Sequence, residues 1–301
     1  MDEIKQALRD VVVITVTPFT AEDTVDEQAC GALVSRVVRA GVRVVTPNGN
    51  TSEFYSLTPA ELDRTLAITQ EAAGDALVLP GIGFDTARAA RMAQQAQRRG
   101  MRAVMVHQPV HPFLSARGWV DYHLRIAEAA PGLGLVAYVR SPHVTTTALA
   151  LLARECPEFV GVKYAVPDPL GLAEAVAVLG DRLTWLCGLA ESWAPFFATA
   201  GATGFTSGLA TIAPELSLGL FDALRAGDHD RAMSLWHKVK PLEDARARSG
   251  SANNVSVVKE ALAQLGLCRA AVRPPIAELT AGECAEVAEV LATWPAAYLS
   301  A

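Results

Sequence analysis

Between Val11 and Ala226 short apolar runs alternate with longer amphipathic runs, eight of each. This predicts an α/β chain, a (β/α)8 TIM barrel with helices outside a parallel sheet. Two further observations point the same way. Polar side chains stand at the ends of the apolar runs, where a barrel of this kind carries its site. After Gly227 the alternation stops and only helical periodicity remains. Residues 1–227 are therefore expected to form the barrel, and residues 228–301 a C-terminal helical extension packed on it. An open, doubly wound sheet is the competing architecture, and it calls for a glycine-rich turn after its first strand. Thr17-Pro18-Phe19-Thr20 stands there instead.

Taken in order, strands are expected at Val11–Thr17, Val42–Thr46, Ala76–Pro80, Ala103–His107, Leu135–Tyr138, Val160–Lys163, Leu183–Cys187 and Gly204–Ser207. Helices are expected at Asp26–Ala40, Pro59–Ala73, Asp85–Arg99, Trp119–Ala130, Thr146–Arg154, Leu170–Leu179, Glu191–Ala200 and Pro214–Ala226. Thr58 before Pro59 reads as a helix N-cap, and Gly100 as a helix stop. The tail carries helical patterns at His229–Arg248, Val255–Leu265 and Thr280–Ala297. Ser249-Gly250-Ser251-Ala252-Asn253-Asn254 forms a polar connector between the first two.

The 301 residues are 51% hydrophobic and 19% charged, ample for a buried core. A net charge of −6 argues against nucleic acid and anionic membrane surfaces as partners, yet leaves room for a local site that takes a small anion. Cys30, Cys156, Cys187, Cys268 and Cys284 show neither metal spacing nor a paired framework, and the first ten residues have no apolar leader core. A cytoplasmic setting is the expectation. No run of 18 apolar residues suggests a membrane span. The six histidines form no metal motif, and His111 and His143 read as surface loop residues.

Chemistry is sought at the strand ends. Phe159-Val160-Gly161-Val162 is a buried-strand pattern, and it runs into Lys163. A lysine there either snorkels its amine to solvent or serves as a nucleophile. In a partly apolar pocket the ammonium is disfavoured, the pKa falls, and the free amine can attack a carbonyl to form a Schiff base. Tyr138 is either a core aromatic with a satisfied hydroxyl or a proton shuttle for iminium chemistry. Asn48-Gly49-Asn50-Thr51-Ser52-Glu53 is either an ordinary polar turn or a carboxylate cradle built from backbone N–H groups and the hydroxyls of Thr51 and Ser52. Arg140 is a surface charge or a carboxylate clamp.

The ordered set Thr17-Pro18-Phe19, Gly49 to Phe54 with Leu57-Thr58, Tyr138, Gly161-Val162-Lys163 and Val272-Arg273-Pro274-Pro275 resembles the dihydrodipicolinate synthase / N-acetylneuraminate lyase family over nearly the whole chain. The resemblance implies a (β/α)8 barrel with a helical extension, usually a homotetramer, whose lysine forms a Schiff base with a 2-keto acid. It implies that Lys163 is that lysine and Tyr138 its proton shuttle. Asn50 and Thr51 stand where the family's hydroxyl pair holds the keto-acid carboxylate. The turn differs from the common Gly-Thr-Thr-Gly-Glu. Pro109-Val110-His111-Pro112 lacks the tyrosines of the lysine-biosynthesis enzyme, Val139 replaces an asparagine, and the arginine is Arg140, with His143 at its usual position. These departures turn the reading away from lysine biosynthesis. Glu53-Phe54-Tyr55-Ser56-Leu57-Thr58, Tyr138-Val139-Arg140 and Asn254-Val255-Ser256-Val257-Val258-Lys259 are similar to the 5-dehydro-4-deoxyglucarate dehydratase branch, which removes water and carbon dioxide from a keto sugar diacid.

The expected function is thus a lysine Schiff-base lyase or dehydratase acting on a 2-keto acid. Lys163, Tyr138 and Thr51 are the expected catalytic residues, and Asn50, Ser52, Arg140, Ser207 and Gly208 the expected substrate contacts. The lysine adduct is itself the electron sink, so neither metal nor organic cofactor is called for. Two alternatives stand beside it: a pyruvate-dependent aldolase or dihydrodipicolinate synthase-like enzyme, and a non-catalytic keto-acid-binding protein on the same barrel.

Overall fold

A computed structural model describes residues 1–299. In chain order, α1 (Asp2–Ala7) and β1 (Val11–Ile14) are followed by α2 (Glu27–Arg39), β2 (Val44–Thr46) and α3 (Pro59–Ala72). Next come β3 (Leu77–Val78), β4 (Gly81–Ile82), α4 (Thr86–Arg98), β5 (Ala103–Val106) and α5 (Ala116–Ala129). The alternation continues through β6 (Gly134–Val139), α6 (Thr146–Glu155), β7 (Phe159–Tyr164), α7 (Pro169–Leu179), β8 (Thr184–Cys187), α8 (Ala190–Thr199), β9 (Gly204–Ser207) and α9 (Pro214–Ala226). The helices α10 (His229–Ser251), α11 (Asn254–Gln264) and α12 (Ala281–Ala292) complete the chain.

Helix starts follow local chemistry. Asp26, Asp85, Ser115, Thr145, Asp168 and Asp228 each accept a backbone N–H three residues on. Thr58 with Glu61 and Thr280 with Glu283 form capping boxes. The third strand and the last helix depart from expectation. The third strand is split, because Pro80 has no N–H to give a ladder; Leu77–Val78 precedes it and Gly81–Ile82 follows. The last helix stops at Ala292, and Pro295 then leads into a short 3-10 turn at Ala296–Tyr298. The short helix α1 was not anticipated. The polar connector takes non-helical backbone at Arg248, Ser249 and Gly250, and so marks a kink between α10 and α11.

The chain divides into two compact units, Met1–Asp10 with Leu77–Thr206, and Val11–Ala76 with Ser207–Ala301. In the first unit β4 to β9 pair in sequence, every pair parallel, with a register irregularity between Leu135 and Val136. These strands are buried throughout, as expected of a parallel sheet covered by helices. The register sets Tyr138 beside Lys163, so neighbouring strands deliver both to the same level of the sheet. In the second unit β1 and β2 pair in parallel. There Leu33, Leu209, Leu216, Leu242, Val258, Leu262 and Trp294 share one apolar core, so α10 to α12 are packed with α2 and α9. Among the described residues no helix is long and apolar enough to cross a membrane.

One buried titratable group sets a pH dependence. His123 on α5 is 1% exposed, lies 4.2 Å from the Trp119 ring, and has Nδ1 2.8 Å from the Trp119 carbonyl oxygen. Burial pushes its imidazole down to about 4. The unfolded chain takes up this proton near pH 6.5 and the folded chain resists it. Stability is therefore complete above pH 6.5 and falls as the pH drops towards 4. Between pH 7 and pH 5 about 2 kcal/mol should be lost from this group. Urea titrations of the wild type and His123→Phe at both pH values check this; the loss should shrink by about that amount in the variant.

Candidate active site

Lys163 is 3% exposed at the end of β7, and its Nζ lies 4.1 Å from the centroid of the Tyr138 ring. An ammonium over an aromatic face is held by the ring's quadrupole, which fixes the long side chain in one place. Tyr138 is itself 6% exposed, and the His107 ring stands 5.9 Å from it, just past the end of β5. Gly188 follows β8. A Cβ there would sit 3.0 Å from Lys163 Cγ and 2.9 Å from the Tyr164 carbonyl oxygen, so a bare backbone gives the lysine stem its channel. A lysine, a phenol and an imidazole thus share one end of the first unit.

Arg140 is exposed just past β6, and its backbone N–H donates to Gln108 Oε1 at 3.4 Å. Close by, an open cleft of about 670 Å³ is lined by Gln108, His111, Phe113, Ser141 and His143 among others. His111 and His143 are both exposed, as loop residues.

The turn from Asn48 to Glu53 belongs to the second unit, and its hydrogen bonds show which of its groups are used within the fold. Asn48 adopts φ 61°, with its Nδ2 donating to the Leu62 carbonyl and its Oδ1 accepting from Thr65. Gly49 sits so close to β1 that a Cβ would fall 2.4 Å from Ile14 Cγ2. Ser52 is spent on the turn: its hydroxyl donates to the Thr15 carbonyl at 2.5 Å and accepts from the Gly49 N–H at 3.1 Å, while its own N–H donates to the Gly49 carbonyl. The Thr17 hydroxyl donates to the Ser52 carbonyl at 2.8 Å. The Glu53 N–H donates to the half-buried Asn50's carbonyl. Thr51, 6% exposed, is the member whose N–H and hydroxyl make no hydrogen bond among the described residues. Ser207 is fully buried. It accepts the Ala210 N–H at 2.8 Å and lies 3.3 Å from the Ser217 hydroxyl, so it starts the short turn after β9. Gly208 packs against Thr51 and Arg246.

The turn is anchored from far along the chain. Glu53, at φ 60°, has a fully buried carboxylate that accepts from Lys259 Nζ and from the Arg273 N–H at 2.9 Å. Burial lowers the Lys259 pKa, and the Glu53 carboxylate opposes that fall. Lys259 Nζ also donates to the Ala271 carbonyl and lies 4.0 Å from the Phe19 ring centroid. Arg273 pairs with Asp23 and Glu61, and its hydrogen bonds hold the Glu61 carboxyl down at about 2. The motif residues Phe19, Glu53 and Arg273, scattered in sequence, meet in one cluster around the buried Glu53. His107 and Arg246 were not singled out from sequence. The first had a signal in its position at a strand end; the second, in mid-helix, had none.

A buried amine beside a phenol at the strand ends of a parallel α/β sheet defines the class of lysine Schiff-base enzymes built on TIM-barrel-like folds. The comparisons with known proteins agree. Residues 7–293 match the model of the Dihydrodipicolinate synthetase family. A probable 5-dehydro-4-deoxyglucarate dehydratase of Saccharopolyspora erythraea is 33% identical over 98% of this chain and 96% of its own length. One of Methylobacterium radiotolerans is 34% identical over 92% of each. Among solved structures, dihydrodipicolinate synthase from Oceanobacillus iheyensis is alike at a TM-score of 0.92, with 34% identity over 97% of this chain and 98% of that one. The enzyme of the same name from Bacillus clausii follows at 0.90 with 36% identity over 97% and 99%. The chain belongs to the Dihydrodipicolinate synthetase family.

Proposed function

We propose that this chain is a lysine Schiff-base dehydratase acting on a 2-keto sugar diacid, of the 5-dehydro-4-deoxyglucarate dehydratase kind. The observation that carries the reading is Lys163, 3% exposed and held 4.1 Å over the ring of Tyr138. The names of its relatives, at 31–34% identity over more than nine-tenths of the chain, supply the substrate class. Lys163 attacks the ketone and loses water to give an iminium. The iminium acidifies the neighbouring CH2, the β-hydroxyl leaves as water, and carbon dioxide follows. Tyr138 moves the protons of carbinolamine and enamine. Thr51, with its free hydroxyl and N–H, holds the carboxylate beside the ketone, and Asn50 and Ser52 shape the cradle. Arg140, Ser207 and Gly208 flank the remainder of the substrate. The finer architecture belongs to the same proposal: a closed (β/α)8 barrel of residues 1–227, a helical extension of residues 228–301, and a cytoplasmic homotetramer.

A dihydrodipicolinate synthase-like aldol reaction is the second reading, favoured by the solved structures at 34–36% identity. Incubation with 5-dehydro-4-deoxyglucarate separates them. The dehydratase releases carbon dioxide, and borohydride then fixes a reduced adduct on Lys163, read by peptide mass spectrometry. An adduct with pyruvate but no carbon dioxide from the sugar diacid would support the aldolase. No adduct with either acid would sink both.

A further inference from the structure

Three adjacent strands of the first unit bring three polar side chains to one level. β5 and β6 pair Val106 with Ala137, so the next step of the same register sets His107 beside Tyr138. β6 and β7 then pair Tyr138 with Lys163. Partners in a parallel register point to the same face of the sheet, so the imidazole, the phenol and the amine form one row. β8 continues that row with the buried, apolar Leu186. The His107 backbone N–H donates to the Ile82 carbonyl at 2.8 Å, which ties the start of the row to β4. All of these residues belong to Leu77–Thr206, so the row is complete within one unit.

His107 is 1% exposed, more deeply buried than the Tyr138 beside it. An imidazole is a costly choice for packing alone, because a leucine or phenylalanine fills such a place with no polar atom to satisfy. The two rings lie 5.9 Å apart at an interplanar angle of 57°. In a tilted pair at that spacing a ring nitrogen and the phenol oxygen can meet at hydrogen-bond distance. The chemistry asks for such a meeting. When Tyr138 gives its proton to the departing hydroxyl of the carbinolamine, a phenolate is left where little water reaches. A buried phenolate is costly unless a fixed N–H donor meets it.

We infer that His107 is a positioning residue for the proton shuttle. As a neutral imidazole it presents an N–H to the Tyr138 oxygen, orients the hydroxyl and stabilises the phenolate. The steps balance with no net transfer to the imidazole. The phenol proton leaves with the carbinolamine hydroxyl as water and gives the iminium. The phenolate then takes a proton from the neighbouring carbon, which leaves the enamine and restores the phenol. His107 acts through Tyr138 alone. The inference rests on the Schiff-base reading above.

The probe is pyruvate in deuterated water. Its methyl hydrogens exchange through the enamine, so proton NMR of the exchange reads the Tyr138 step whichever acid is the natural substrate. Rates are counted per Lys163 that borohydride can trap, so a misfolded fraction does not enter. His107→Phe keeps a packed ring and removes the N–H. It should lower the saturated exchange rate roughly 10- to 100-fold, the worth of a hydrogen bond to a charged group, and leave the half-saturating pyruvate concentration unchanged. His107→Asn and His107→Gln place an amide N–H near the positions of Nδ1 and Nε2, and one of the two should recover most of the rate. In a Tyr138→Phe protein the further change His107→Phe should have no effect, because the hydroxyl it serves is gone.

Wild-type exchange in His107→Phe, a low rate in both amide variants, or a full His107 effect without the Tyr138 hydroxyl each overturns the inference. So does a raised half-saturating concentration at an unchanged saturated rate, which would mark His107 as a binding contact. Where His107→Phe traps no adduct, the split between the asparagine and glutamine variants carries the test, and equal rates in the two overturn it. If the wild type traps only the sugar diacid, the same comparisons are read on carbon dioxide release. A wild type that traps neither acid loses the Schiff-base reading, and this inference falls with it; normal trapping with an unaffected His107 series sinks this inference alone.

Discussion

Lys163→Ala is expected to abolish the borohydride adduct and to lower kcat by ~10⁴-fold or more, a loss of at least ~5 kcal/mol of transition-state stabilisation. The size follows from what the amine supplies. Without it no iminium forms, and a CH2 beside an unactivated ketone must give up its proton unaided. Arginine at the same position does not rescue the reaction, because a guanidinium keeps its proton and offers no lone pair. Tyr138→Phe is the informative companion. It retains the ring that lies 4.1 Å from Lys163 Nζ and removes only the hydroxyl. Its adduct should therefore still form, slowly, while turnover falls ~10²- to 10⁴-fold, the usual worth of a positioned general acid–base. Rapid-quench trapping separates the two steps. A Tyr138→Phe protein that turns over at the wild-type rate would remove the phenol from the mechanism.

Glu53→Ala leaves Lys259 as a fully buried cation without its counter-ion and should destabilise the protein by about 3–5 kcal/mol. Lys259→Met does the same to Glu53. The double variant Glu53→Ala with Lys259→Met leaves neither charge of the pair buried, so it should be clearly more stable than the sum of the two single changes implies. Urea-unfolding midpoints of the four proteins give the coupling directly. Additive losses would mean that the pair contributes nothing beyond two separate contacts. Activity reports on the same cluster from another side. Glu53 ends the turn that presents Thr51, and its carboxylate also takes the Arg273 N–H, so the single variants should lose affinity for keto acids even where they remain folded.

Local signals carried most of the architecture. Thr58-Pro59 and the period of the following residues announce α3, and the β-branched run into Lys163 announces β7, because caps and periodicity are written in adjacent residues. Register needed the structure, yet its outcome at Tyr138 and Lys163 agrees with what the strand ends suggest. The side-chain economy of the turn was less legible. Ser52 and Thr51 are neighbours of similar chemistry, but the first is consumed by Thr15 and Gly49 while the second is left with its donors. Nothing in the spacing distinguishes them. Arg246 was hidden for a related reason: a polar residue on an amphipathic helix reads as solvated, and only the packing against Gly208 shows otherwise. Pro80 and Pro295 cut the elements where a proline must, and both boundaries could have been drawn from sequence.

The bond between Lys259 and Glu53 joins residues 206 positions apart. On a ribosome adding about 5–20 residues per second, the partner of Glu53 emerges roughly 10–40 s after it. Throughout that interval the turn from Asn48 to Glu53 exists without the cation that secures it, and Arg273 arrives later still. Nascent chains shorter than about 260 residues should therefore bind no keto acid, however well their strands have formed. Premature termination anywhere before Lys259 would release a protein whose first functional segment was made early and never completed.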